Sequence, residues 1–238
     1  GPSGAYSSWP RLSSRLADTG SRHSLTINTF LILVCTVASL WAWQQDARFI
    51  EQNLIFSFNN LMAGRFWTLP AALFVHASLF HLIGNMVFLM VFGGTLQKSV
   101  GSGRFLLVFL TGGLTGFVLS MPFMAPGAGM LGASAAIFTV AACVMLVRAL
   151  KFSWLFLAPQ GLVALIYFLY NVVIVYDPKL VASYDPQVGY IAHIIGFVTG
   201  IPFGIAWSRS WKKNLVITII LLGVYIVLLY VALRYLRQ

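Results

Sequence analysis

Residues 189–208 read GYIAHIIGFVTGIPFGIAWS: twenty residues with one histidine, His193, glycines at 196, 200 and 204, and no acid, lysine or arginine. The run is long and apolar enough to cross the hydrocarbon of a bilayer as a helix. His193, Gly196, Gly200 and Gly204 are spaced by three, four and four, so they share one stripe of that helix. A glycine stripe lets a neighbouring backbone approach closely. An ionisable side chain inside a span is costly enough to point to function by default.

The rest of the chain has the same character. Of its 238 residues, 59% are hydrophobic and 8% charged, where a soluble domain carries about a quarter charged residues. Apolar runs are continuous rather than alternating, which predicts a helical, all-α polytopic membrane protein and not a barrel. Seven spans are expected, at 25–44, 79–97, 104–122, 132–148, 154–176, 189–208 and 215–235. Residues 45–78 are too amphipathic to span and too apolar for a free loop, so an interfacial, partly re-entrant element is expected there. The opening GPSG resembles a scar of tag removal and is set aside. No cleavable signal peptide or organelle-type transit peptide is read in the polar first two dozen residues, so the first span is expected to direct insertion. The expected organisation is a cytoplasmic tail at 1–24, a six-span core at 25–208, and a linker with a seventh span at 209–238.

The net charge of +10 lies in short clusters at helix ends, where membrane proteins keep it, so the partner is the lipid bilayer and no nucleic acid. With the N-terminus in the cytoplasm, ten lysines and arginines face inward and five outward, which predicts N-inside, C-outside. Cys35 and Cys143 fall inside apolar runs and read as small buried hydrophobes.

In that orientation the second, fourth and sixth spans all begin at the outer face. His81 and Asn85, four apart, lie near the start of the second. Ser134 opens the fourth and His193 lies about a turn into the sixth. Taken singly, a membrane serine back-bonds to its own helix and a lone histidine or asparagine glues helices together. Their matched depth on three inward-running helices argues for a shared pocket. On the fourth span Ser134 shares a face with Ile137, Phe138 and Ala141, and this face opposite the glycine stripe would bring Ser134 to His193. Asn171 and Gln160 on the fifth span read as helix-packing groups. No span holds an aspartate or glutamate, which excludes an aspartyl protease, and no H-E-x-x-H zinc motif occurs. A metal held by His76, His81 and His193 lacks a further carboxylate or cysteine at that depth, so no metal or cofactor is expected. A serine with a histidine base remains.

These motifs resemble the rhomboid family of intramembrane serine proteases over residues 64–208. G-A-S at 132–134 is similar to the family's G-x-S motif, H-x-x-x-N at 81–85 to its second-span motif, and A-H-x-x-G-x-x-x-G at 192–200 to its sixth-span motif. F-x-H at 74–76 and G-S-G-R at 101–104 fit the same pattern. The resemblance implies a rhomboid-like six-helix core plus a C-terminal seventh helix, with Ser134 as nucleophile and His193 as base in a dyad without a third member. It also implies an oxyanion and substrate pocket from the Ser134 N–H, His81, Asn85, Gly132 and Ala133. Phe138 would pack on His193, and Gly196 and Gly200 would pack beside the dyad. Three positions depart from the pattern: Ala135, Thr68 and Gln97. A methyl at Ala135 is expected to narrow the site. The implied activity is hydrolysis of peptide bonds in or near transmembrane segments of membrane-protein substrates. The site would open to the outer face of a prokaryotic cell membrane, with 176–187 as a lid. A rhomboid-like protein that binds or escorts membrane proteins is the alternative, and a small channel the third reading.

Overall fold

The computed structural model describes residues 26–125, 127–180 and 189–236. Backbone amides in lipid have only each other as partners, and the apolar runs accordingly fold as helices. The first, α1 (Ile27–Ala42), starts where the Thr26 side chain accepts from the Thr29 N–H. Three short helices follow, α2 (Ala47–Asn53), α3 (Phe58–Met62) and α4 (Thr68–Ala72). Between them β1 (Phe56–Ser57) pairs antiparallel with β2 (Gly129–Met130). Phe58, Met62, Phe66 and Trp67 are exposed along this segment, the aromatic and apolar surface that suits a membrane interface.

Helix α5 (Leu79–Phe88) is capped by Ser78, whose hydroxyl accepts from the His81 N–H. It passes through a π turn, Leu89–Gly93, into α6 (Gly94–Val100). Gly101 then takes φ 88°, a left-handed conformation that ends α6 and starts α7 (Ser102–Ser120). Next come α8 (Ser134–Arg148), α9 (Gln160–Tyr176), α10 (Tyr190–Trp207) and α11 (Trp211–Tyr235). The helical stretches Leu79–Val100, Ser102–Phe123, Tyr190–Trp207 and Trp211–Tyr235 are long and apolar enough to cross a membrane, and α1, α8 and α9 are shorter apolar helices. The chain is an all-α polytopic membrane protein.

The fifth apolar run starts later than its hydropathy predicts. Residues 154–159 are not helical: β3 (Phe152–Ser153) pairs with β4 (Ala158–Pro159), and Leu157 has φ 51°. Pro159 lacks the N–H a preceding turn would need, so α9 opens at Gln160. Trp154 and Leu157 are left exposed.

The middle of the molecule is α8, buried on nearly every side from Ala135 to Leu146. Such a helix shows no amphipathic stripe because it has no solvent face. Against it, α10 sets the glycine stripe read from sequence. A Cβ at Gly196 would collide with the Ala135 carbonyl, one at Gly200 with the Thr139 carbonyl, and one at Gly204 with the Leu146 side chain. The facing stripe on α8 is Ala135, Thr139, Ala142 and Leu146, one residue round from the expected Ser134–Ala141 stripe. The Thr139 hydroxyl sews the seam, 2.7 Å from the Gly196 carbonyl and 2.9 Å from that of Ala135. The seam's depth and angle decide where the ends of α8 and α10 meet.

Candidate active site

Ser134 is the first residue of α8, and His193 lies in the first turn of α10. The seam brings them together: His193 Nε2 is 2.8 Å from Ser134 Oγ. Phe138, one turn below Ser134, stacks on the imidazole with 4.6 Å between centroids and 7° between planes. Tyr190 meets the same ring edge-on at 6.3 Å.

The other ring nitrogen also has a partner. His193 Nδ1 is 2.8 Å from Asn171 Oδ1, and Asn171 is buried. The amide is oriented by its own helix, because its Nδ2 donates to the Tyr167 carbonyl at 2.7 Å. With Nδ2 facing Tyr167, Oδ1 faces the ring and can only accept. The Nδ1 proton is therefore donated to Asn171, and Nε2 is left as acceptor for the Ser134 hydroxyl. Asn171, read from the sequence as a helix-packing group, thus makes its interhelical contact with the His193 ring, on the side opposite Ser134. Its position held the clue. The fifth span runs opposite to the fourth and sixth, so its last turns reach the depth at which theirs begin.

The turn before Ser134 is held by backbone. Gly132 has φ 113°, a conformation open to glycine and costly for other residues. A Cβ there would also lie 2.8 Å from His81 Cε1 and 2.9 Å from His81 Nε2. The Gly132 N–H donates to the Ala72 carbonyl at 2.7 Å, and the Ala133 N–H to His76 Nε2 at 3.3 Å. These two N–H groups are spent on the scaffold and cannot serve an oxyanion. The Ser134 N–H, at the open end of α8, has no acceptor within its helix.

His76 has a part that its sequence motif does not disclose. Its ring is buried, with Nδ1 3.1 Å from Ser39 Oγ on α1. Accepting at Nε2 requires the neutral ring with its proton on Nδ1. Burial, helped by the neighbouring His81, pushes its pKa down to about 3, so it stays neutral. The F-x-H pattern marks the residue without saying what it holds. His81 lies edge-on to His76 at 5.1 Å, beside Gly132. Asn85, one turn further along α5, gives one N–H to the His81 carbonyl at 3.1 Å and keeps a second on the same nitrogen.

Each of the three departures has a local account. The Ala135 methyl points away from Ser134, toward Gly116 of α7, so it packs the helix junction instead of narrowing the site. Thr68 is buried, and its hydroxyl donates to the Arg65 carbonyl at 2.7 Å. Gln97 Oε1 accepts from the Asn28 N–H at 2.8 Å and its Nε2 donates to Ser102 at 2.9 Å, tying the start of α1 to the start of α7. Most of the expected lid, residues 181–187, lies outside the described residues.

The rhomboid domain family model matches residues 63–210. The chain belongs to the rhomboid family. This rhomboid is 30% identical over 179 residues to the rhomboid protease GluP of Bacillus subtilis, covering 74% of the chain and 34% of the relative. It is 30% identical over 127 residues to a rhomboid protease GlpG homologue of Cronobacter sakazakii, covering 53% of the chain and 44% of the relative. It is also 28% identical over 178 residues to the human inactive rhomboid protein 2, covering 69% of the chain and 19% of the relative. The chain therefore spans less than half the length of each of these relatives.

Proposed function

We propose that this rhomboid is an intramembrane serine endopeptidase that hydrolyses peptide bonds in or near transmembrane segments of membrane proteins. The observation that carries the reading is the Ser134–His193–Asn171 relay, with both hydrogen bonds at 2.8 Å. In the first step Ser134 Oγ attacks the scissile carbonyl while its proton passes to His193 Nε2. The tetrahedral intermediate collapses, the imidazolium returns the proton to the leaving amine, and the acyl group stays on Ser134. A water then gives its proton to Nε2 and attacks the ester, and the proton is restored to Ser134 as the acid product leaves. Asn171 keeps Nδ1 protonated, so the ring begins each half-reaction with Nε2 free. Being neutral, it orients the ring without offsetting the imidazolium's charge.

The oxyanion is assigned to the Ser134 N–H, His81 and the spare N–H of Asn85. Removing one such donor costs about 3 kcal/mol of transition-state stabilisation. The starting end of α8 adds its positive dipole to the same point. Gly132 supplies room where a Cβ would meet His81.

In the same reading residues 25–208 are the six-span core and 209–238 a linker and seventh span. The tail is cytoplasmic, and the site opens to the outer face of a prokaryotic cell membrane. A binding or escort role is the second reading, favoured by the likeness to the human inactive relative. The test is cleavage of a reporter containing a transmembrane segment, in proteoliposomes, by the intact chain and by Ser134→Ala. Cleavage lost in the variant supports the protease. Equal reporter binding without cleavage in both would move the escort reading to first place.

A further inference from the structure

The far end of α8 carries a second feature, independent of the protease reading. About 21 Å from Ser134, by the rise of 15 helical residues, a cavity of about 800 Å³ opens between the π turn and α6, the end of α8 and the foot of α11. Lys98, Arg148, Lys151 and Lys213 line it, with Thr95, Ser99, Ser210 and Asn214. Among the described residues no carboxylate (Asp46, Glu51 or Asp177) lines it, and the sequence has no aspartate or glutamate between Glu51 and Asp177. Four cations thus converge on a concave space with hydroxyl and amide donors and, among the described residues, no counter-charge. A basic membrane face in general needs neither the concavity nor the donors.

We propose that this cavity binds the phosphate-bearing headgroup of an anionic membrane lipid. Basic pockets between helices take such headgroups, with the ammonium and guanidinium groups meeting phosphate oxygens. The position gives the lipid a structural task. Helix α11 has one buried residue among those described, Thr218. It is tied to the core by Asn214, whose Nδ2 donates to the Leu146 carbonyl at 2.7 Å, and Asn214 also lines the cavity. A phosphate held between Lys213 of α11, Arg148 at the end of α8 and Lys151 just after it would pin α11 to the core.

The full chain in phosphatidylcholine nanodiscs, titrated with phosphatidylglycerol, tests this through the rise in unfolding temperature and through lipid retained in native mass spectrometry. Replacing the four cations by Gln is expected to weaken the response on the order of tenfold or more. Arg209→Gln with Lys212→Gln, beside the cavity but not lining it, should leave it within about twofold, since neither side chain contributes to the concave space that would hold the phosphate. Should the fourfold variant fail to fold, Lys151→Gln and Lys213→Gln singly carry the comparison. An equal loss in the Arg209/Lys212 pair would overturn the site in favour of general surface charge. The same temperature rise from inorganic phosphate alone, with no lipid retained, would keep the phosphate site and overturn the lipid as its occupant. No response to either ligand would overturn both.

Discussion

Helix α10 is held on two sides in two different ways. Toward α8 the contact is backbone against backbone: glycines 196 and 200 meet the carbonyls of Ala135 and Thr139, and the Thr139 hydroxyl bridges the two helices. Toward α9 it is side chain against side chain: Phe168 stacks on Phe197 at 4.3 Å, and Asn171 meets His193 at 2.8 Å. The first contact cannot shift without a clash and sets the distance from Ser134 to His193. The second sets how the ring turns within that distance. Distance and orientation of the His193 ring therefore come from different neighbours and can be broken separately.

The largest effect is expected from the backbone side. Gly196→Leu forces a side chain onto the Ala135 carbonyl and should separate the helices. Purified in detergent, it should unfold at a markedly lower temperature, with overpacking costing about 3 kcal/mol or more, and cleave nothing. Breaking the side-chain contact should spare the fold. Asn171→Ala is expected to lower kcat on the order of 10- to 100-fold with KM little changed, as the ring loses its orienting bond. Asn171→Asp keeps an acceptor at the same place and should restore much of the rate. Its added negative charge favours the imidazolium, so the acid limb of its pH–rate profile should move to higher pH. Identical profiles for all three proteins would reduce Asn171 to a packing residue.

A smaller effect is expected at Thr139→Val, which keeps the shape of the seam and removes its bridging hydroxyl. It should cost about 1–2 kcal/mol of stability and lower activity by less than Asn171→Ala does. The last effect is read along the pH axis and concerns His76. A folded pKa near 3, against 6.5 ordinarily, means the unfolded chain binds the proton first. The contribution is complete above about pH 6.5 and is lost as pH falls toward 3. His76→Gln cannot titrate and should flatten that part of the stability–pH curve, measured by thermal unfolding in detergent.

The two sides of α10 also differ in how plainly the amino-acid sequence announces them. The glycine stripe is legible because helical periodicity turns spacing into a face. Ser134 and His193 are legible because polar residues at matched depth in apolar runs are conspicuous. Register on the partner helix is not: α8 is buried all round, so its sequence carries no amphipathic phase, and the facing stripe is Ala135, Thr139, Ala142 and Leu146. Asn171 is legible as polar but not as a ligand of His193, since a side-chain contact between residues 22 apart on two helices leaves no periodic trace. Residues 154–159 are hydrophobic enough to extend a span, and only Pro159 hints at the hairpin that replaces its first turns.

The most direct measurement of the central claim, that His193 activates Ser134, is labelling of the folded protein by a fluorophosphonate probe with the labelled peptide identified. The account predicts phosphonylation at Ser134, abolished in Ser134→Ala, reduced to background in His193→Ala, and slowed but present in Asn171→Ala. An intact, folded protein that fails to label, or that labels equally well without His193, would contradict it.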